Sequence, residues 1–547
     1  MATYYWVGGS GTWDGSTTTN WAASSGGAGS AGFPTSADNV TFDSLSNATA
    51  YTVTMGASAV CADMTMAGPL VGKVTWAGST ALTIAGSMNL SGGTAGITRS
   101  YTGTITFSST ASGKTLTSNG VALGGPLTFD GVGGGWTQAD AITATTITLT
   151  NGAFSDGGFS VSATSFSSSN SNTRDCAIAG TWSLSGVGTV WTTATNTGLT
   201  YSTNSGTVSL TSSGSGTHTI TCGASAPTMP KILVASGSYV LNLTSVNCKG
   251  LDFTGSTVTC SSAPRVAGAL TLATGGSYTS FAPTMSGTSG TQSITSSGKT
   301  IFTLTVDGVG GTASCVDALT CSNIMTVTNG IFSCNGQSVS SATLSSSNAN
   351  TRGITFTGSE VWSVTSAGIA WDCGTSTNLT ITPATGSVKF TSTSATSKTF
   401  AGGGKTYATV YFSGSGTGDN IVTGSNTFAE IKADGTAGVK TISLTAGTTT
   451  ILSAAALNIS GDATHQTVFR STSAGSAATL SCASGTISLS YVSVKDSTAT
   501  GGATFNAFTS NGCVNTSGNT GWNFSASAFI AAANKIPLQA VTRASYW

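Results

Sequence analysis

Residues 150–174 read TNGAFSDGGFSVSATSFSSSNSNTR and residues 328–352 read TNGIFSCNGQSVSSATLSSSNANTR, so that Asn151 and Arg174 recur as Asn329 and Arg352 at a constant offset of 178. The likeness continues with a slip of two residues: Trp182 and Trp191 return 180 positions later as Trp362 and Trp371. Upstream, GKTLTSNGVALGGPLTFDGVGG at 113–134 resembles GKTIFTLTVDGVGG at 298–311, and a third echo stands at 403–418. A chain that repeats itself this way builds one unit against the next, and each unit buries its apolar face on a neighbour.

Inside the repeats, short stretches follow one another about every ten residues. ITFSST, TTITLTNG and TWSLSG alternate Val, Ile, Leu, Phe or Trp with Ser or Thr, which is the pattern of a strand with one buried face. Gly and Asn-Gly punctuate them, as at Asn119-Gly120, Asn151-Gly152, Asn329-Gly330 and Asn335-Gly336. The pattern predicts an all-β, elongated, repetitive β-solenoid; at 20–25 residues and about 4.8 Å per coil, some 400 residues extend roughly 80–100 Å. An array of β-sandwich modules is the alternative, because it shows strands at the same spacing.

Composition supports strands over helices. Only 7% of the 547 residues are charged, 73 are Gly and about a third are Ser or Thr, so the strong helix formers are scarce. A mean hydropathy of +0.19 with 39% hydrophobic residues argues against disorder. Basic and acidic residues number 18 each. That balance offers no field for a run of phosphates, so nucleic acid is not an expected partner. No run approaches about 18 apolar residues, so membrane insertion is not expected either. Met1 to Gly9 shows no basic stretch followed by an apolar one, hence no secretion leader. The 11 cysteines are expected to be small buried hydrophobes, with Cys222, Cys248 and Cys260, and again Cys315, Cys321 and Cys334, stacked inside coils.

The chain divides by pattern into an aromatic-rich N-terminal cap (1–50, with Trp6, Trp13, Trp21 and Phe42), a solenoid (51–424) carrying the duplication (113–215 and 298–395), a C-terminal β module (425–524) and a tail (525–547) for docking or oligomer contact.

WVGGSGTWDGSTTTNWA at 6–22 with GFPTSADNVTFD at 32–43 resembles the opening module of Gly/Ser/Thr-rich β-helical surface proteins, among them autotransporter passengers and structural proteins of tailed bacteriophages. SNTFAEIKADGTAGVKTISLTAGTTTILS from residue 425, STSAGSAATLSCASGTISLSYVSVKDSTATGGATFNAF from 471 and NTSGNTGWNF from 515 look like modules of virion-associated proteins. Without a leader or a membrane barrel, the phage branch is preferred. The resemblance implies a virion appendage, a tail fibre or spike, made in the host cytoplasm and displayed on the particle. It implies a homotrimer attached to other virion proteins through one terminus and meeting a host glycan or envelope protein. A head-decorating fibre and a tailspike polysaccharide depolymerase are the alternatives.

Candidate chemistry is sparse. His218 and His465 are far apart in sequence and in no ligand motif, no phosphate-cradling loop is present, and neither metal nor cofactor is expected. Asp130 and Asp307 in DGVGG read as turn residues. Glu360 and Asp372 flank the second pair of tryptophans, but Asp372 aligns with Thr192 and Glu360 has no acidic counterpart, which excludes a duplicated acid pair. No enzyme activity is expected. The residues nominated for glycan or receptor contact are Trp182, Trp191, Trp362 and Trp371, as stacking platforms or core fillers, and Arg174 and Arg352, as contact cations or binders of loop carbonyls.

Overall fold

Alternating stretches become short strands whose apolar side chains all turn inward. In the computed structural model, which describes residues 1–525, Leu127, Ile147, Phe166, Trp191, Ile220 and Leu243 are successive rungs of one parallel ladder, and all are buried. Their neighbours Thr128, Thr148, Ser167, Thr192, Thr221 and Thr244 form the outer rank of the same strands. Parallel pairing of segments some 20 residues apart requires the chain to circle once between rungs. Among the described residues the result is β-solenoid coils, about 22 turns in all, with only 2% helix.

A turn carries three strands. Phe154 in Thr146–Ser155, Val161 in Val161–Ala163 and Phe166 in Ser165–Ser167 lie in three separate ladders, whose next rungs are Cys176, Trp182 and Trp191 respectively. Following Val161 upward passes Trp182, Val208, Ile232, Leu251, Leu270, Ile294 and the strand ending at Cys315, whose Ala313 pairs with Phe332. Eight turns thus lead to strand Ile324–Ser333. Val339, the sequence copy of Val161, lies in the next strand along the chain, Val339–Ser341. The duplicated segment is therefore displaced by eight turns and one face.

Two strands, Leu127–Gln138 and Leu304–Cys315, run across two faces and bend at their DGVGG segments, where the pairing register shifts. The bend needs glycine. A Cβ on Gly131 would overlap the Ser109 carbonyl oxygen, and one on Gly308 the Gly287 carbonyl oxygen. Asn151 Nδ2 donates to Asp130 Oδ1 at 2.7 Å and Asn329 Nδ2 to Asp307 Oδ1 at 2.8 Å, joining each bend to the following turn.

The chain forms two compact units: Met1–Thr391 with Ala401–Ala408, and Ser392–Phe400 with the residues from Thr409 onward. The expected boundary at 424–425 falls inside the second unit. In the first unit, Thr3–Trp6 pairs antiparallel with Trp21–Ala22 and parallel with Asn39–Phe42, so the N-terminal segment joins the coils directly. Trp21 stands edge-on to Trp6 at 5.0 Å and to Trp13 at 5.4 Å, and Phe42 stacks on Trp6 at 5.7 Å. The second unit repeats the coil pattern, with Asn420–Thr423, Thr441–Leu444, Thr467–Ser471, Val492–Lys495 and Val514–Ser517 in one parallel ladder. Of the expected tail, residues 526–547 lie outside the described residues.

Candidate functional site

The six nominated contact residues are inside. Trp182, Trp191, Trp362 and Trp371 are each 0% exposed, and Arg174 and Arg352 are buried as well. The tryptophans are core fillers, and the stacking-platform reading is corrected: an indole enclosed on both faces has none to offer a sugar ring. The cause is their register. Trp182 shares a rung with Val161 and Val208, and Trp191 with Phe166 and Ile220, all inward positions. The arginines are corrected likewise. Arg352 gives its N–H groups to the carbonyls of Asn350 (2.8 Å), Thr375 (2.6 Å) and Thr377 (2.9 Å), and Arg174 bonds those of Asn172 (2.9 Å) and Thr195 (3.3 Å). Each guanidinium ties the SSSNxNTR loop to the turn above it. Burial lowers the pKa of both, and carbonyl oxygens meet the charge where no carboxylate does.

Glu360 performs a task that sequence alignment hides. Its carboxylate accepts from Thr357 Oγ1 (2.6 Å), Thr357 N (2.8 Å), Gly358 N (2.8 Å) and Gly336 N (2.7 Å). Burial pushes this carboxyl up, but the hydrogen bonds from Thr357 and its neighbours outweigh it and hold the group at about 2. In the first copy the same work falls to Asp156, fully buried, which accepts from Gly158 N (2.9 Å), Ala179 N (3.0 Å), Gly180 N (2.9 Å) and Trp182 Nε1 (3.0 Å). By sequence, Asp156 aligns with Cys334 and Glu360 with Gly180. The acid has moved from one turn to the next, and the two-residue slip between Arg352 and Trp362 lengthens the loop that carries it. Trp362, without an Asp156 beneath it, donates to Ser341 Oγ at 3.1 Å, where the first copy has Ala163. Asp372 accepts from Gly374 N at 3.1 Å.

All 11 cysteines are buried free thiols. Burial pushes Cys248, Cys315 and Cys321 up to about 12, so they stay protonated. Among the described residues no group of three His, Cys, Asp or Glu side chains is placed to hold a metal ion. His218 is a core residue whose ring lies 3.9 Å from that of Tyr239.

What the exterior offers is grooves. Two small ones repeat with the duplication: one of about 230 Å3 over Gly134, Gly152, Thr173 and Thr200, and one of about 240 Å3 over Gly311, Gly330, Thr351 and Thr380. Gly353 in the second stands where the first has Asp175, which is held by Thr200 Oγ1 and Ser202 N, both at 2.8 Å. A larger groove, of about 580 Å3, crosses the turns between the two copies. It has Asn204, Asn247, Lys249 and Arg265 in its wall, and Asn247 and Arg265 also border an adjoining hollow of about 420 Å3. The sequence carried no signal for it, because its residues are spread over five turns and are brought together only by coil stacking. Comparison with known proteins found no matching family model, no matching curated protein and no matching solved structure.

Proposed function

We propose that this chain is an adhesive appendage protein of a tailed-phage particle, a fibre or spike acting as a homotrimer that holds a host-surface glycan through many weak contacts. The observation that carries the reading is the outer rank Thr128, Thr148, Ser167, Thr192, Thr221 and Thr244. It sets hydroxyl groups about 4.8 Å apart along a parallel ladder. Such a surface exchanges hydrogen bonds with sugar hydroxyls in repeated register, and multiple copies on one particle convert weak single contacts into avidity. The acids flanking the buried tryptophans are committed to backbone N–H groups, so the reading assigns them to loop structure and gives the chain no catalytic step.

The test is electron microscopy of purified particles with an antibody to the C-terminal residues, combined with competition of particle adsorption by the purified chain. Label on tail tips with blocked adsorption supports the proposal. Label on the capsid shell without competition supports decoration instead, and particles free of the protein overturn both.

A further inference from the structure

We propose that the groove across Asn204, Asn247, Lys249 and Arg265 is a binding site for a carboxylate-bearing oligosaccharide of the uronic-acid type. The proposal rests on the adhesion reading and gives it a place and a ligand class.

The groove is built by register. Asn247 and Arg265 are direct cross-strand partners, and Arg265 pairs onward with Thr284. Met229 bridges to Cys248, which puts Thr228 level with Asn247 one turn below, and Asn204 Nδ2 reaches the Thr228 carbonyl at 2.8 Å from the turn before that. Five consecutive turns therefore contribute. At about 4.8 Å per turn the floor is roughly 19 Å long, room for a short oligosaccharide lying along the stack. Lys249 follows Asn247 by two residues on the same outward face, and Ser286 follows Thr284 in the same way.

The donor and acceptor set is half spent, and the remainder matches an acidic sugar. Asn247 Nδ2 donates to Thr228 Oγ1 at 3.0 Å, and the carbonyl oxygens of both asparagine side chains have no partner among the described residues. They remain as acceptors for sugar hydroxyls. Arg265 spends one N–H on Asp307 Oδ2 at 3.2 Å, an ion pair that positions the guanidinium without consuming its other donors. Lys249 makes no ion pair among the described residues. In a chain with 18 basic residues in all, Lys249 leaves the groove a local excess of one positive charge once Asp307 is set against Arg265, whose remaining N–H groups are free to donate. Two cations amid amides and hydroxyls suit intermittent carboxylates. A nucleic acid strand requires aromatic platforms and a longer cationic track, and the groove wall has Ala267 and Gly287 where such platforms would stand.

The test titrates the full chain with a uronic-acid tetrasaccharide and with its carboxyl-reduced, neutral counterpart. Lys249→Glu and Arg265→Gln are compared with Lys231→Gln, a charge change at the Lys231–Asp252 pair, whose lysine is exposed and which is not among the groove's lining residues. Circular dichroism and melting temperature check that each variant folds. Expected results are at least tenfold weaker binding of the reduced sugar, at least tenfold loss in Lys249→Glu and Arg265→Gln, no loss in Lys231→Gln, and affinity that falls with added salt. Equal binding of the two sugars, or unchanged binding in a folded Lys249→Glu, overturns this site while leaving adhesion standing. Failure of the wild-type chain to bind either these sugars or host-surface glycan overturns the adhesion reading together with it.

Discussion

Trp182 and Trp362 share two matching aromatic neighbours but stand on different faces of the solenoid. Each meets the next tryptophan near edge-on, Trp191 at 5.9 Å and Trp371 at 5.2 Å, and each meets the phenylalanine of the preceding turn, Phe154 at 5.8 Å and Phe332 at 5.3 Å. Yet the ladder through Trp182 runs to the strand holding Phe332, one strand before the ladder of Trp362. Similar packing predicts similar energetics. Replacing either indole by alanine is expected to cost about 3–5 kcal/mol, measured by denaturant unfolding. Glycan affinity of the folded fraction should not change, since neither ring reaches the surface. A variant that loses binding at unchanged stability would refute the core assignment.

Glu360 makes stability depend on acid. Its folded pKa of about 2 lies below the usual carboxylate value, so its contribution is complete above about pH 4.5 and is lost as the pH falls toward 2. Glu360→Gln is expected to lower stability at neutral pH by about 1–3 kcal/mol and to flatten the pH dependence within that window. Urea midpoints from pH 6 to 2 for the two proteins give the comparison; parallel curves would contradict the assignment.

The His218 effect lies at higher pH. Burial lowers its pKa, an effect partly offset by the Gly186 carbonyl. A depressed folded pKa leaves stability intact above the unfolded value of about 6.5 and erodes it as the pH drops below that. The melting temperature should therefore decline between pH 7 and 5. His218→Phe, which keeps a ring against Tyr239, should remove that part of the decline.

Glycine is required at the bends for space, whereas at an open turn such as Gly290 it serves only the backbone angle. Gly308→Ala drives a methyl group into the Gly287 carbonyl and is expected to cost more than 2 kcal/mol. Gly290 has a φ of +64° and nothing within 4 Å of the added carbon, so Gly290→Ala should cost only about 1 kcal/mol. Thermal unfolding of the two variants ranks them, and equal losses would refute the close approach at Gly308.

The inward rungs and the outward hydroxyl ranks were legible in the sequence because a strand alternates at period two wherever it sits. Buried cysteines followed from the same rhythm. The facing of the repeats was not legible. Turns vary in length, 19 residues from Ile232 to Leu251 and 26 from Trp182 to Val208, so an offset of 178 does not reveal a whole or broken number of turns. The exchange of Asp156 for Glu360 was equally hidden, since the acid lies on opposite sides of one turn boundary. The groove of Asn247 and Arg265 has no linear motif because its residues are spread over five turns, four of which supply only one or two each.

A segment that advances by eight turns and one face behaves like a step on a spiral stair. Copied once more end to end, it would set its third bend on the remaining side, and a fourth copy would return to the first. Gene duplication in such a chain lengthens the stack and also redirects each new copy. Whatever the bend carries is then distributed around the axis and accessible from any direction of approach.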